Sequence, residues 1–282
     1  MTGEKDVVTA EATSIGRTSA LAPASAAADS PVVRLSGVTL AYGDVDALAD
    51  VSFDVRPGEF VSLIGPSGCG KSSVLRTIGG LLAPDRGTVS VAGSVVAGPR
   101  PKDIAFVFQD LALYPWRSAL RNVEVALEFA GAPRAGRREQ AQACLAAVGL
   151  ADAAHRFPHE LSGGMQQRVA IARALVSQAP VLLLDEPFAA LDELSRLRIG
   201  EQLTALLEEQ GKTVVSVTHN LSEAVYLSDR VIVMSPRPGR VKDVVVVDLE
   251  RPRRPALLRT PEFHRLADRL SALLFDDEPD RS

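Results

Sequence analysis

The stretch Gly65-Pro66-Ser67-Gly68-Cys69-Gly70-Lys71-Ser72 lies between an apolar run and a helical pattern, and it decides the fold. It fits the phosphate-binding pattern G-x-x-x-x-G-K-S, whose glycines let backbone N–H groups wrap around phosphate oxygens. Lys71 is expected to place a positive charge on the β- and γ-phosphates, and the Ser72 hydroxyl can ligate Mg²⁺. The helix predicted over residues 72–78 adds the positive end of its dipole. We assign the loop and the following Ser73 to nucleotide binding, because a chance glycine-rich turn does not explain the strand before and the helix after.

Five apolar runs of strand length indicate parallel strands that are covered on both faces. Helical patterns lie between them, which favours an α/β sheet. Four runs end in residues suited to phosphate, metal or water, and ligands bind beyond the carboxyl ends of such strands, so one site is expected at one edge. The endings are Gly65, Gln109, Asp185 with Glu186, and His219 after Thr218. The runs are Phe60–Ile64, Ile104–Phe108, Val181–Leu184, Val214–Val217 and Val231–Met234.

Asp185 and Glu186 close the third run, and their two carboxylates are expected to divide two tasks. Asp185 would hold Mg²⁺ through water, as the strand-end Asp does in phosphate-loop enzymes. Glu186 would polarise the attacking water as a general base. Two acids in a solvated turn would explain the pair alone equally well, but they fit a sheet that carries a phosphate loop poorly.

A second glycine motif, Leu161-Ser162-Gly163-Gly164-Met165-Gln166-Gln167-Arg168, precedes a helical stretch over residues 169–177. A hydroxyl and two glycines at the start of a helix predict a second anion site. One nucleotide does not need two phosphate cradles in one chain, so the pattern favours a head-to-tail dimer in which each cradle completes the partner's site. A glycine-containing helix cap explains the Ser-Gly-Gly letters alone and stays as the alternative.

The composition is that of an ordinary globular protein, with 46% hydrophobic and 23% charged residues in 282. The formal net charge of -4 gives no reason to expect a nucleic-acid partner. Cys69 and Cys144 are too few for a disulfide framework or a zinc site, which fits a reducing cytoplasm. No apolar run reaches the roughly 18 residues that span a bilayer, so other chains are expected to supply any membrane part.

The order of the motifs along the chain resembles that of the ATP-binding cassette of ABC transporters. The motifs are the phosphate loop, Gln109, LSGGMQQR at 161–168, VLLLDEP at 181–187 and His219. The resemblance covers about residues 32–248. It implies an α/β fold with a phosphate-loop NTPase core, a mostly parallel sheet, an antiparallel β subdomain and a helical subdomain. It also implies an ATPase that uses ATP and Mg²⁺.

The resemblance implies roles for single residues around the nucleotide. Tyr42 would stack on adenine, and Gln109 would touch Mg²⁺ and report to a membrane subunit. His219 would hold the γ-phosphate and act with Glu186, Lys71 and Gln109 in catalysis. Ser72, Gln109 and Asp185 would form the metal site.

The resemblance also implies a dimer seam. Ser162, Gly163 and Gly164 would bind the nucleotide of the partner chain, with Ser162 and Gly164 on its γ-phosphate. Ala190-Leu191-Asp192 would lie at the seam. Met165 departs from the commonest family sequence, which has Gln, but the cradle depends mainly on Ser162 and backbone N–H groups.

Three segments are expected along the chain. Residues 1–30, rich in Ala, Ser and Thr, are predicted to be a disordered extension. Residues 31–248 would form the cassette, with a helical subdomain at about 110–177 and alternating strand patterns at 32–42, 49–55 and 88–96. Residues 249–282 would form a tail with a short amphipathic helix that starts near Pro261.

Pro115-Trp116-Arg117 resembles the subfamily of importer cassettes that serve nitrate, sulfonates and taurine. This implies a peripheral subunit at the cytoplasmic face of the membrane, with a second cassette, two permease subunits and an extracytoplasmic solute-binding protein as partners. The docking site would lie near residues 114–117. A lone Trp is usually well buried, so core packing is the alternative for Trp116. An ABC ATPase that acts on ribosomes or DNA, and an exporter subunit, are the rival functions.

Overall fold

The computed structural model describes residues 30–275, so the predicted extension at 1–30 lies almost entirely outside the described residues. The strands are β1 (Val33–Tyr42), β2 (Val45–Val55), β3 (Phe60–Ile64), β4 (Arg86–Val91), β5 (Ser94–Val95), β6 (Ile104–Val107), β7 (Val181–Asp185), β8 (Thr213–Val217), β9 (Arg230–Met234) and β10 (Val241–Val246). The helices are α1 (Lys71–Ile78), α2 (Ala119–Phe129), α3 (Arg137–Ala147), α4 (Gly163–Leu175), α5 (Glu193–Glu209), α6 (Leu221–Leu227) and α7 (Pro261–Phe275). Short 3-10 turns lie at Ala151–Ala153, Pro158–Glu160 and Pro255–Arg259.

A six-stranded sheet in the order β10-β9-β3-β8-β7-β6 forms the centre of the molecule. Its strands β9, β3, β8, β7 and β6 are parallel and correspond to the five apolar runs. Every residue of β3, β7 and β8 is buried, as expected for strands covered on both faces. The α/β fold class predicted from the sequence is therefore confirmed.

A second sheet, in the order β2-β1-β4-β5, is antiparallel and packs beside the first. The alternating pattern over residues 88–96 contributes to two strands, because the chain turns back at Ala92 and Gly93. Both residues have positive φ, at 49° and 74°. Such a pair is the geometry of a tight two-residue hairpin turn.

Helices α2, α3 and α4 pack against one another on one side of the main sheet. Their apolar residues share one hydrophobic cluster with the sheet, in which Leu120 and Val169 lie with Val107 of β6. The three helices thus bury their apolar faces against the main sheet. The predicted limits of the helical subdomain, 110–177, stay a prediction.

The tail helix α7 begins at Pro261 and buries Phe263 and Leu270. It contacts α6, and its Leu273 carbonyl accepts a hydrogen bond from Lys242 of β10. This position places α7 at the β10 edge of the main sheet, opposite β6. Within residues 30–275, no helix is both long and apolar enough to cross a bilayer.

Candidate nucleotide site

The phosphate loop joins β3 to α1, and its glycines are needed for steric reasons. Gly68 and Gly70 have φ of 75° and 101°, which side chains of other residues rarely adopt. A Cβ at Gly70 would lie 2.6 Å from Leu48 Cδ2, and one at Gly65 would lie 2.9 Å from the Met234 carbonyl oxygen. The loop is therefore packed tightly between β2 and the end of β9.

Lys71 is almost fully buried within this loop. Its Nζ donates hydrogen bonds to the carbonyl oxygens of Gly65 and Pro66, at 2.8 and 2.9 Å. Cys69 is also buried, with Sγ 3.8 Å from Lys71 Nζ, and burial raises the pKa of its thiol. The Lys71 ammonium thus helps to hold the curved backbone of the loop, and the Cys69 thiol is buried next to this ammonium.

Ser72 and Asp185 bring the phosphate loop and the end of β7 together. The Ser72 hydroxyl donates a hydrogen bond of 3.0 Å to Asp185 Oδ1. Asp185 is 2% exposed, and this burial raises the pKa of its carboxyl group. Gln109 lines the same cavity as Ser72 and offers an amide oxygen, so the nearby donors are a hydroxyl, a carboxylate and an amide oxygen. This donor set fits Mg²⁺.

Glu186 and His219 lie side by side at the ends of β7 and β8. The Glu186 backbone turns sharply, with φ of 51°, and its N–H donates to the Val217 carbonyl oxygen at 3.0 Å. This turn leaves Oε2 of Glu186 3.5 Å from Nδ1 of His219. A carboxylate and an imidazole so placed can accept a proton from water and bind a phosphate oxygen.

A cavity of about 470 Å³ lies over the phosphate loop and gathers most of the predicted residues. This volume is in the range of sites for small-molecule ligands. Tyr42 reaches into it, and its hydroxyl lies 3.2 Å from the Ser73 hydroxyl. The predicted residues that line the cavity are Tyr42, Gly65, Ser67, Gly68, Gly70, Lys71, Ser72, Ser73, Gln109, Glu186 and His219. Pro66, Cys69 and Asp185 do not line it and instead support the residues that do.

Three further residues line this cavity that the sequence reasoning did not assign to the site, Ala47, Val217 and Arg237. Val217 was expected only as the last residue of the fourth apolar run. Ala47 belongs to an ordinary strand pattern and carries no signal. Arg237 carries a sequence signal, since it follows the fifth apolar run. It therefore lies at the same carboxyl edge of the sheet as the residues that end the other four runs. The rule that found Gln109 and His219 also applies to this position.

The second glycine motif forms a separate cradle, which we define as Ser162, Gly163 and Gly164. The Ser162 hydroxyl caps α4 by accepting a hydrogen bond from the Met165 N–H at 3.3 Å. Ser162 and Gly163 are exposed. A Cβ at Gly164 would lie 2.8 Å from Leu191 Cδ2, so the segment at 190–192, which is predicted to lie at a dimer seam, packs directly against the cradle. None of the three cradle residues lines the nucleotide cavity.

The side chain of Gln167 links the helix that starts at the cradle to the backbone of the segment at Glu186 and Ala190. Its side chain is buried, its Nε2 donates to the Glu186 carbonyl oxygen at 2.9 Å, and its Oε1 accepts from the Ala190 N–H at 3.0 Å. The helix that starts at the cradle therefore holds the segment that carries Glu186. Sequence reasoning assigned no role to this glutamine.

Trp116 is 72% exposed, so the core-packing alternative for this residue is wrong. The turn that carries it is held by Asn122, whose Oδ1 accepts from the Tyr114 N–H at 2.8 Å and whose Nδ2 donates to the Arg117 carbonyl oxygen at 2.9 Å. Arg117 also pairs with Glu128 at 3.0 Å. The ring is thus presented to solvent on a well-fixed turn.

The fold and the cavity define a phosphate-loop nucleotide-binding protein, and comparison with known proteins gives the family. The family model described as ABC transporter matches residues 48–189. An uncharacterized ABC transporter ATP-binding protein of Methanocaldococcus jannaschii, MJ0412, is 48% identical over 209 residues, which are 74% of this chain and 78% of that protein. The chain belongs to the ABC transporter family and is an ATPase of that family.

Some relatives carry names that include a transported solute. The aliphatic sulfonates import ATP-binding protein SsuB 2 of Burkholderia lata is 44% identical over 79% of this chain and 80% of its own length. The nitrate import ATP-binding protein NrtC of Synechococcus elongatus is 45% identical over 81% of this chain, but this match covers 35% of that longer protein. The family and the resemblance to these importer cassettes, both expected from the sequence, are confirmed.

A solved structure agrees with the fold. The dimeric structure of MJ0796, described as a bacterial ABC transporter cassette, superposes with a TM-score of 0.72 at 38% identity and covers 77% of this chain and 100% of that chain. A second structure of MJ0796, at a TM-score of 0.70 and the same identity and coverage, is described as a dimeric post-hydrolysis state bound to ADP and Pi.

Proposed function

We propose that two copies of this chain, or one copy and a close relative, close around two Mg-ATP and drive uptake of a small solute. The observation that carries this proposal is the separation of the nucleotide cavity from the exposed cradle at Ser162–Gly164. A second chain arranged head to tail would lay its cradle on the open side of the cavity. The structures of the relative MJ0796 are described as dimeric, which supports the pairing of two chains.

In the proposed reaction, this chain's residues hold the triphosphate and move one proton. Bound Mg²⁺ would neutralise phosphate charge, and Ser72, Asp185 and Gln109 would hold it. Glu186 would accept a proton from the water that attacks the γ-phosphorus, while the bond from that phosphorus to the bridging oxygen of ADP breaks. His219, 3.5 Å from the Glu186 carboxylate, would donate a hydrogen bond to a γ-phosphate oxygen.

We infer that the solute is a small anion such as nitrate, a sulfonate or taurine. The similarity to the nitrate and aliphatic sulfonates import proteins supports this inference. The proposed partners are two transmembrane permease subunits, served by an extracytoplasmic solute-binding protein, with this subunit peripheral at the cytoplasmic face. A nucleic-acid partner is not expected, since the formal net charge is -4.

The exposed turn at residues 114–117 is the proposed contact with the permeases. A Trp that is exposed on a fixed turn loses little conformational entropy when it enters a groove of a partner. Aromatic rings of this kind are enriched among the residues that dominate binding energy. The turn also follows Gln109, so motion at the metal site has a short path to the docking surface.

Trp116→Ala tests this proposal, with Phe275→Ala as a matched control. Phe275 is an aromatic residue that is 63% exposed on α7, at the opposite edge of the sheet. After co-expression with the permease subunits, we expect Trp116→Ala to co-purify with them poorly, with a loss of roughly 2 kcal/mol or more of contact. The lone subunit should keep its thermal stability and ATP binding, and Phe275→Ala should assemble normally. Assembly of Trp116→Ala at the level of the control would show that the docking proposal is wrong.

A further inference from the structure

Arg237 lies at the nucleotide cavity, and we propose that its guanidinium contacts the nucleoside part of the bound nucleotide. The inference rests on the proposed function, because it takes this cavity as the ATP site. It adds a second basic side chain to the site, distinct from Lys71 in position and in what it would bind.

The segment that carries Arg237, residues 235–240, is fixed against both walls of the cavity. The Gly239 N–H donates to the Ala47 carbonyl oxygen at 2.9 Å, and the Gly239 carbonyl accepts from the Ala49 N–H at 3.0 Å. A Cβ at Gly239 would lie 2.0 Å from the Cys69 carbonyl oxygen. The segment is therefore pressed between β2 and the phosphate loop, and this contact sets the position of Arg237.

The guanidinium lies beside the hairpin that carries Tyr42. Its Nε donates to the Asp46 carbonyl oxygen at 3.0 Å, and Asp46 pairs with Ala41 in the β1–β2 ladder. Tyr42, the next residue, lines the same cavity as Arg237. Arg237 is thus at the end of the cavity where the aromatic ring is, rather than in the phosphate loop.

The predicted general base, Glu186, lies further along the carboxyl edge of the sheet than Arg237. Arg237 follows β9, whereas Glu186 follows β7, and strands β3 and β8 lie between those two strands. A nucleotide that placed its γ-phosphate near Glu186 and its β-phosphate in the loop would extend its nucleoside toward Tyr42 and Arg237. This order along the sheet assigns Arg237 to the nucleoside and not to the γ-phosphate.

The chemistry of the guanidinium suits such a contact. With Nε bonded to Asp46, its two terminal nitrogens have no hydrogen-bond partner among residues 30–275. A planar cation can stack on the face of a base, and its N–H groups can donate to ring nitrogens or ribose oxygens. Lys71 would then serve the phosphates and Arg237 the nucleoside.

Arg240 provides the matched control. It belongs to the same segment, is exposed like Arg237, and does not line the cavity. Arg237→Ala and Arg240→Ala each remove one positive charge from the same loop. Any difference between them therefore reports the local contact and not the general electrostatic field.

Calorimetric titration of the full chain with ATP and with ADP, both with Mg²⁺, measures the contact. We expect Arg237→Ala to bind both nucleotides about three- to thirtyfold more weakly, the range for a cation on an aromatic face. Arg240→Ala should stay within about twofold of the parent chain, as screened surface charges do. A loss confined to ATP would assign Arg237 to the γ-phosphate and overturn the inference, as would no loss or an equal loss in Arg240→Ala.

Lys71→Ala in the same titration separates this inference from the proposed function. If Lys71→Ala also binds both nucleotides normally, the cavity is not the ATP site and the proposed function fails. If Lys71→Ala loses affinity while Arg237→Ala does not, the site stands and only the role of Arg237 is wrong. Thermal unfolding of each variant shows that the chain is folded in every titration.

Discussion

The nucleotide cavity and the cradle at Ser162–Gly164 both present donors to anions, yet they differ in how complete they are. The cavity has fixed walls, with Lys71 bonded inside the loop and Ser72 bonded to Asp185. The cradle is an exposed helix start whose serine caps its own helix. The cavity is therefore shaped to bind a ligand within a single chain, whereas the cradle can contact a ligand only when another molecule presents that ligand to it.

This difference supports our proposal that the cavity and the cradle of one complete site come from two different chains. A preformed cavity lowers the cost of binding, because little has to be ordered when the nucleotide arrives. None of the three cradle residues lines that cavity, and we propose that the cradle serves the nucleotide of a second chain. We infer that nucleotide binding is a property of the single chain, whereas hydrolysis requires two.

The largest expected effect contrasts the two regions directly. Lys71→Ala should weaken ATP binding by the single chain and lower turnover by about 10²-fold or more, since it removes the cation from the transferred phosphate. Ser162→Asp should leave ATP binding by the single chain unchanged but also abolish turnover, because its charge would repel the partner's γ-phosphate. Titration calorimetry and steady-state phosphate release measure the two quantities.

Asp is a good helix cap, so Ser162→Asp preserves the start of α4. Equal thermal stability of this variant and the parent chain would verify that point. If Ser162→Asp weakened ATP binding by the single chain as much as Lys71→Ala, the cradle and the cavity would belong to one site, and the contrast between them would be lost.

A smaller effect is expected at Gln167, which joins the two regions. Gln167→Met should lower the turnover number by about tenfold with little change in KM, since it removes two hydrogen bonds that position the Glu186 segment. Gln166→Met is the control, because the side chain of the neighbouring Gln166 also makes two hydrogen bonds, in which it donates to the carbonyl oxygens of Pro158 and Leu161. Equal turnover numbers for both variants would show that Gln167 has no specific positioning role.

Much of the fold could be predicted because local patterns were strong. The five apolar runs became parallel strands, and the glycine pattern of the phosphate loop matched the tight packing found at Gly65 and Gly70. Strand β10 was not predicted, since Lys242 and Asp243 interrupt its apolar pattern. An antiparallel strand at the edge of a sheet tolerates such residues because part of it faces solvent.

The site was predicted less completely, because some features depend on contacts between distant residues. The exposure of Trp116 could not be decided from the local sequence around it, because hydrogen bonds from Asn122 to the backbone fix the conformation of the turn. The role of Gln167 depends on Glu186 and Ala190, about 20 residues further along the chain. Arg237 could have been found by applying the strand-end rule to all five runs.

The shared site is tested most directly by the mass of Glu186→Gln in solution. This variant keeps the nucleotide cavity but should hydrolyse ATP on the order of 10²–10⁴ times more slowly, so the ATP-bound state should persist. Size-exclusion chromatography with light scattering would compare it with the double variant Glu186→Gln/Ser162→Asp at saturating ATP and Mg²⁺. We predict that Glu186→Gln has twice the chain mass of 29.9 kDa and that the double variant stays monomeric. A Glu186→Gln chain that stays monomeric with ATP bound, or a double variant that dimerises equally well, would contradict a site shared between two chains.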